Sequence, residues 1–179
     1  MAFTVAAAFE RFCKNLRFSD DNLSKISNRY HSITKRINID YWGTSSDSSH
    51  SLYVGSYGRD TEIFTSDIDM LVQLPYSTYE KFNAYTSNGQ SALLQEVKKV
   101  IEKTYSVTHL KADGQIISIP FSDGINFEVL PAFINKDDSS YTFANSNNGG
   151  LWKVTNPRAE IAEIQSMNGQ CNSNLKRLC

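Results

Sequence analysis

Paired cysteines are missing from this 179-residue chain. It has three, Cys13, Cys171 and Cys179, widely spaced and with no C-x-x-C among them. That excludes a zinc knuckle or a redox pair by spacing and predicts reduced, partly buried thiols. The three histidines, His31, His50 and His109, show no metal-ligand spacing, and no G-x-S-x-G elbow marks a hydrolase. Charge of one sign is not in excess either. Lys plus Arg is 18 and Asp plus Glu is 19, a formal net charge of −1, which argues against a basic nucleic-acid coat and against handling of long nucleic acid. No apolar run approaches the ~18 residues of a membrane span. The opening Met1 to Glu10 lacks a basic region and turns polar within ten residues, so we expect no signal peptide and a soluble, cytoplasmic protein with no membrane partner. Internal repeats and low-complexity segments are absent as well.

What is present is an ordinary globular composition, 40% hydrophobic and 12% aromatic, enough for a real core. Phe9, Phe12, Cys13 and Leu16 recur at helical spacing. Ser19-Asp20-Asp21 reads as a cap and acidic first turn, opening a long helix striped by Leu23, Ile26, Tyr30, Ile33 and Ile37. Gly43 to His50 is a polar loop. Leu52 to Val54 reads as a strand ending at Gly55-Ser56, and Ile68, Met70 and Val72 alternate through a second strand. Ser77-Thr78-Tyr79-Glu80 has capping-box form, and a helix is predicted from about Ser91 to Thr104. Strands are predicted at Val107–Leu110, Ile116–Phe121 and Phe127–Leu130, with turns at Asp113-Gly114 and Asp123-Gly124. Asn156-Pro157 reads as a helix cap and first position, and Asn172 to Cys179 as the start of a further helix. The order predicts an α+β fold, a mixed sheet with helices packed on one face.

The chemistry concentrates in Gly55-Ser56 followed by Asp67-Ile68-Asp69. A glycine after a strand lets main-chain amides approach a phosphate, and a small hydroxyl beside it bonds a phosphate oxygen. Aspartates at i and i+2 on a strand face the same way, and carboxylate pairs suit hard divalent cations such as Mg²⁺. A pair of cations serving an in-line displacement needs a third carboxylate. Glu128, a lone acid between apolar neighbours in Phe127-Glu128-Val129-Leu130, is the candidate. Its alternative is an ion pair with a Lys or Arg. Asp123 is weaker, being better explained as a turn. Arg59 and Lys153 are phosphate-contact candidates weighed against solvated charge. Tyr57 and Trp152 are base-stacking candidates weighed against packing. Asp137-Asp138 reads as a loop face.

Three segments carry a resemblance: Val54-Gly55-Ser56-Tyr57-Gly58-Arg59-Asp60-Thr61, Ser66-Asp67-Ile68-Asp69-Met70-Leu71-Val72, and Phe127-Glu128-Val129-Leu130-Pro131-Ala132-Phe133. Together they resemble the polymerase-beta-type nucleotidyltransferases, and most of all the bacterial cGAS/DncV-like enzymes (CD-NTases), over about residues 5 to 178. The resemblance implies a nucleotidyltransferase core over 1–156 with a long N-terminal helix, followed at 157–179 by the beginning of a helical second domain. It implies joining of nucleoside triphosphates into a cyclic di- or trinucleotide with release of pyrophosphate, in anti-phage (CBASS) signalling. It further implies Gly55 and Ser56 as nucleotide-binding residues, and Asp67, Asp69 and Glu128 as catalytic residues ligating Mg²⁺, with Mn²⁺ as an alternative. An activator or regulatory protein and a separate effector for the product are implied as partners. The other readings are transfer to a protein or RNA end, and an inactive nucleotide- or RNA-binding module. Two departures stand out. The third acid is Glu where the family often has Asp, and the family's helical second lobe continues past the point where this chain stops, so we expect the 179 residues alone to be weakly active or inactive.

Overall fold

The computed structural model describes residues 4–64 and 67–171. Thr4 caps α1 (Val5–Asn15), accepting the Ala7 N–H at 3.3 Å. No residue of α1 is buried, and Phe9 and Phe12 are exposed. Ser19 caps α2 (Asp20–Ile37) as its sequence predicts, accepting from Asn22 N–H. Ile26, Tyr30, Ile33 and Ile37 fall on the buried stripe, whereas Leu23 stays exposed. The helix runs on into one wider turn (Asn38–Trp42) that ends at Gly43 with φ +65°. Trp42 there donates Nε1–H to Gln73 O and stacks on His50 at 3.9 Å, closing the polar loop back onto the sheet.

Next come β1 (Ser51–Tyr53), the single turn α3 (Gly55–Gly58), β2 (Ile68–Gln73), α4 (Tyr76–Asn83) and α5 (Gly89–Glu102). The remainder is β3 (Lys111–Asp113), β4 (Ile116–Ile119), β5 (Phe127–Ile134), β6 (Tyr141–Asn145), β7 (Leu151–Thr155) and α6 (Pro157–Gln170). The seven strands form one mixed sheet. β1 lies antiparallel on β2, β2 runs parallel to β5, and β5 continues antiparallel through β4 to β3 and through β6 to β7. Helices α2, α4 and α5 cover one face and bury Ile68, Met70, Val72, Ile117, Ile119, Phe127, Val129 and Phe133 with it. The opposite face carries a smaller apolar group, Leu71, Ala132, Tyr141 and Phe143. Among the described residues no helix is long and apolar enough to cross a membrane.

Strand β5 holds the sheet together, and it runs four residues further than its sequence predicts. A proline inside a central strand normally argues against one, because a ladder donor is lost. Here β2 takes one edge of β5 along Phe127 to Ala132. The other edge is shared, by β4 over Phe127–Val129 and by β6 over Ala132–Ile134. Asn126 O and Ala132 O both accept from β2 or its flanks, so alternate residues from 126 to 132 turn their main-chain groups that way. Pro131 is out of phase with them, and its missing N–H faces the gap where β4 has ended and β6 has yet to begin.

Three local predictions are corrected. The strand expected at Val107–Leu110 is a turn, with Thr108 N–H on Tyr105 O, and the pairing strand starts at Lys111. Its apolar pattern misled because Val107 is fully exposed while Leu110 is delivered alone into the core. Helix α4 starts at Tyr76 after Pro75, two residues earlier than a Ser77 capping box would place it. Strands β6 and β7 were not foreseen, and β7 buries none of its residues and so has no hydrophobic face to detect. Asn156 and Pro157 do open α6 as predicted, Asn156 accepting from Ala159 N–H at 3.0 Å. Of the thiols, Cys13 is partly buried and Cys171 exposed. Residues 172–179, the predicted further helix, lie outside the described residues.

The turn that leads into β5 is held from behind. Arg29 on α2 grips Asp123 through two bonds of 3.0 and 2.8 Å, donates to Ile125 O, and lies 3.8 Å above the Phe121 ring. The Arg29 hydrogen bonds hold the Asp123 carboxyl below its ordinary value. A carboxylate of depressed pKa stabilises the fold above its unfolded pKa and loses that contribution as pH falls through the folded one. Arg29→Ala should lower stability by about 1–2 kcal/mol at neutral pH. Asp123→Asn should lower it by less, and its deficit should vanish in acid below the ordinary carboxylate range, as urea denaturation at several pH values will record.

Candidate active site

The site begins where β1 ends. Val54 N–H donates to Asp69 O at 3.0 Å, which fixes the end of β1 against the start of β2. The chain then bends at Gly55 with φ +59°. A Cβ built there would stand 1.9 Å from Oδ2 of Asp69, so a side chain is excluded both by backbone conformation and by the carboxylate. Gly58 N–H returns to Val54 O at 2.9 Å and closes α3. Ser56 sits on that turn half-buried, its carbonyl accepting Thr61 N–H at 2.9 Å.

Strand register sets the acids. Asp69 is the direct partner of Glu128 across the parallel β2–β5 ladder, and in-register neighbours in a parallel pair project to the same face. Asp67 precedes Asp69 by two residues and shares that face. Asn126, two residues before Glu128, donates from its side-chain amide to Asp67 Oδ1 at 3.2 Å. Gly55, Asp69 and Glu128 line a cleft of about 290 Å³ together with Gln115, Phe143 and Thr155. Asp67 lies exposed at its margin, and Ser56 is not among the lining residues. Sequence reading had not singled out Gln115, Thr155 or Asn126. For Asn126 a signal existed, since an i, i+2 pair with Glu128 mirrors Asp67 and Asp69. A larger hollow of about 410 Å³ lies at the other end of β5, against Tyr76, Tyr79 and Lys136. No carboxylate lines it, so size alone does not make it the site.

The acids disturb one another. Burial chiefly, and then the charge of Asp67, push the Asp69 carboxyl above its ordinary value, while the Arg59 charge pulls it partly back. Glu128 is pushed up by burial and then by both aspartates. Among the described residues no salt bridge reaches Glu128, so the ion-pair alternative for this residue is not what the fold contains. The three carboxylates share a face and a field. They are not drawn into a closed ligand cage, and no ready-made group of metal ligands exists among the described residues. The donor set nevertheless fits a hard divalent cation. It offers oxygen donors only, carries net negative charge, and opens onto a cleft with room for a ligand's own oxygens.

The remaining candidates resolve toward structure. Tyr57 packs on Tyr53 and Phe18, and Trp152 on Tyr79 and Phe133 with its Nε1–H on Asn83, so both aromatics serve the core. Lys153 is exposed. Asp137 accepts from Ser139 and Ser140 and closes the β5–β6 loop.

Comparison with known proteins then adds the following. Residues 3–168 match the Second Messenger Oligonucleotide or Dinucleotide Synthetase domain. No curated protein matches the chain by sequence. Among solved structures it resembles the Bradyrhizobium diazoefficiens CD-NTase CdnG in complex with GTP, with TM-score 0.66 and 14% identity over 90% of this chain and 46% of that one. It resembles apo Vibrio cholerae DncV with TM-score 0.65 and 14% identity over 94% and 61%. For CdnC of E. coli MS115-1 with ATP the values are 0.62 and 12%, over 94% and 53%. The chain thus spans about half to three-fifths of the length of these structures, and the likeness is one of fold.

Two expectations follow from the geometry. Gly55→Ala should cost about 2 kcal/mol, a fall in melting midpoint of several degrees. Its cost should shrink in an Asp69→Ala background, where the clashing carboxylate is gone. For the acids, a raised folded-state pKa means stability falls as pH climbs from the ordinary carboxylate range through the raised value. Asp69→Asn or Glu128→Gln should therefore raise the midpoint at neutral pH without divalent cation by about 1–3 °C, the shift of a relief below ~1 kcal/mol. Millimolar Mg²⁺ should stabilise the parent and not the variants. Scanning calorimetry with and without Mg²⁺ reads both effects.

Proposed function

The chain belongs to the Second Messenger Oligonucleotide or Dinucleotide Synthetase family, within the bacterial cGAS/DncV-like nucleotidyltransferases, and from that premise we propose that it joins nucleoside triphosphates into a cyclic di- or trinucleotide with release of pyrophosphate. The observation that carries the reading is the in-register pairing of Asp69 with Glu128 beside the Gly55 bend, with Asp67 two residues upstream. Asp67 and Asp69 would hold two Mg²⁺ ions, or Mn²⁺, and Glu128 would complete the one nearer the attacking hydroxyl. When bound, such ions supply charge stabilisation to the attacking and leaving oxygens of an in-line displacement.

The chain's own residues have definable work in that reaction. Gly55, lacking a Cβ, lets the Asp69 carboxylate sit directly against the bend, and Ser56 on the same turn offers a hydroxyl to a phosphate oxygen. Asn126 keeps Asp67 turned to the common face through its amide. A ribose hydroxyl oxygen forms the new bond to the α-phosphorus, the bond from that phosphorus to the bridging oxygen breaks, pyrophosphate departs and the hydroxyl proton is lost. A second such step within the linear product closes a dinucleotide ring, and a trinucleotide takes a third. Residues 1–156 form the catalytic core in this proposal, and α6 begins a helical second domain that supplies further base and phosphate contacts. Anti-phage (CBASS) signalling, in which the messenger acts on a separate effector, is the biological setting that the family suggests. A regulatory protein partner fits too, since one structural neighbour is a CdnC:HORMA complex.

The test is direct. The full-length protein is incubated with mixed labelled nucleoside triphosphates and Mg²⁺, treated with phosphatase, and its products are resolved. Phosphatase-resistant product that disappears in Asp67→Ala/Asp69→Ala, by a factor of at least about 10³ for loss of both acids, is the expected result. Label on protein or RNA, or nucleotide binding without turnover, would overturn the cyclase reading.

A further inference from the structure

Arg59 ends the turn that starts at Gly55, its N–H shared between Gly55 O and Ser56 O at 3.2 Å each. Its guanidinium leaves that turn. Nη1 lies 3.5 Å from Oε2 of Glu160, in the first turn of α6, with the two side chains 31% and 58% exposed. The same elements approach one residue earlier, where a Cβ on Gly58 would stand 3.5 Å from Ile161 Cδ1. A cation anchored on the glycine-serine bend is thus tied to a carboxylate on a helix outside the sheet. Its charge still reaches Asp69.

We propose that Arg59 contacts the triphosphate of the incoming nucleotide and that Glu160 holds it in reserve, so that α6 sets how tightly the triphosphate binds. The inference rests on the nucleotidyltransferase reading above and deepens it. A triphosphate must settle beside three carboxylates that already repel one another, and needs a cation on the same turn as Gly55 and Ser56. Arginine presents a planar fork that grips phosphate oxygens in pairs, a stronger contact than a single exposed pairing at 3.5 Å. An exposed ion pair holds its partner by only about two- to fivefold. Glu160 therefore loses Arg59 to a polyanion but taxes its binding. Glu160 also sits in the first turn of α6, where the helix end favours a carboxylate.

Equilibrium binding of non-hydrolysable α,β-methylene analogues of ATP and GTP to the full-length protein with Mg²⁺ tests this. Glu160→Gln should tighten binding about threefold. Arg59→Ala should weaken it about tenfold, with Arg59→Lys in between. The double variant should match Arg59→Ala alone, because Glu160 acts only through Arg59. Affinity for AMP and GMP should not move in any of them, which a merely structural role would not achieve. Unchanged triphosphate affinity in Glu160→Gln, a double variant that tightens, or equal shifts for monophosphates would overturn the inference and leave the nucleotidyltransferase reading standing. Failure of the parent protein to bind either analogue would overturn that reading, and this inference with it.

Discussion

Two acids facing each other across a parallel ladder is the constraint from which the site follows. Parallel pairing of β2 with β5 gives Asp69 and Glu128 no choice of face, and a slip of one residue would send one of them into the helix-packed core. The register is held because the alternate residues, Ile68, Met70, Phe127 and Val129, are fully buried on that other face. Hydrophobic burial behind the sheet thereby holds like charges together in front of it. Both carboxyls are pushed above their ordinary range, so the arrangement opposes stability at neutral pH and persists because the core outweighs it. The cluster costs stability, and among the described residues no salt bridge answers Glu128, which is the kind of local strain that folds retain at functional sites.

Gly55 shows the same logic in the main chain. The bend brings its α-carbon so close to the Asp69 carboxylate that no side chain fits between them. Val54, through its N–H on Asp69 O, makes the end of β1 and the second aspartate one mechanical unit. Asp67 is positioned differently. It lies outside the ladder, exposed, and takes its orientation from the Asn126 amide. The three acids therefore differ in stiffness, with Asp69 and Glu128 set by sheet register and Asp67 by a single hydrogen bond.

Much of this was legible in the residues. The stripe on α2 apart from Leu23, the alternation of β2, the cap at Ser19 and the Asn156-Pro157 start read correctly, because in each a local rule and the tertiary environment ask for the same thing. The glycine-serine bend, the i, i+2 aspartates and the lone Glu128 pointed to one face before any fold was known. What could not be read was governed by pairing at a distance. Pro131 argued for the end of a strand, and only the change of partner along one edge of β5 explains why the strand continues. Strand β7 carries no hydrophobic alternation because none of its residues is buried and only Trp152 packs against the main core. The contribution of Gln115 and Thr155 to the cleft depends on β4 and β7 arriving beside β5, which no spacing along the chain announces.

The division of labour between the two faces of the sheet also bears on where α6 belongs. Helices α2, α4 and α5 supply the apolar cover, and the face they leave is where the acids, the glycine bend and the small cluster of Leu71, Tyr141 and Phe143 meet. Helix α6 touches that side through polar contacts. Arg158 Nε–H donates to the Tyr141 hydroxyl at 3.3 Å, and Glu160 reaches Arg59. Apart from Pro157, none of the described α6 side chains is buried. A helix attached by exchangeable polar bonds beside a charged cleft can shift without disturbing the core. One buried by hydrophobic contact could not. The sheet therefore fixes Asp69 and Glu128, while Arg59, whose charge reaches Asp69, is held to α6 by an exposed and weak pair.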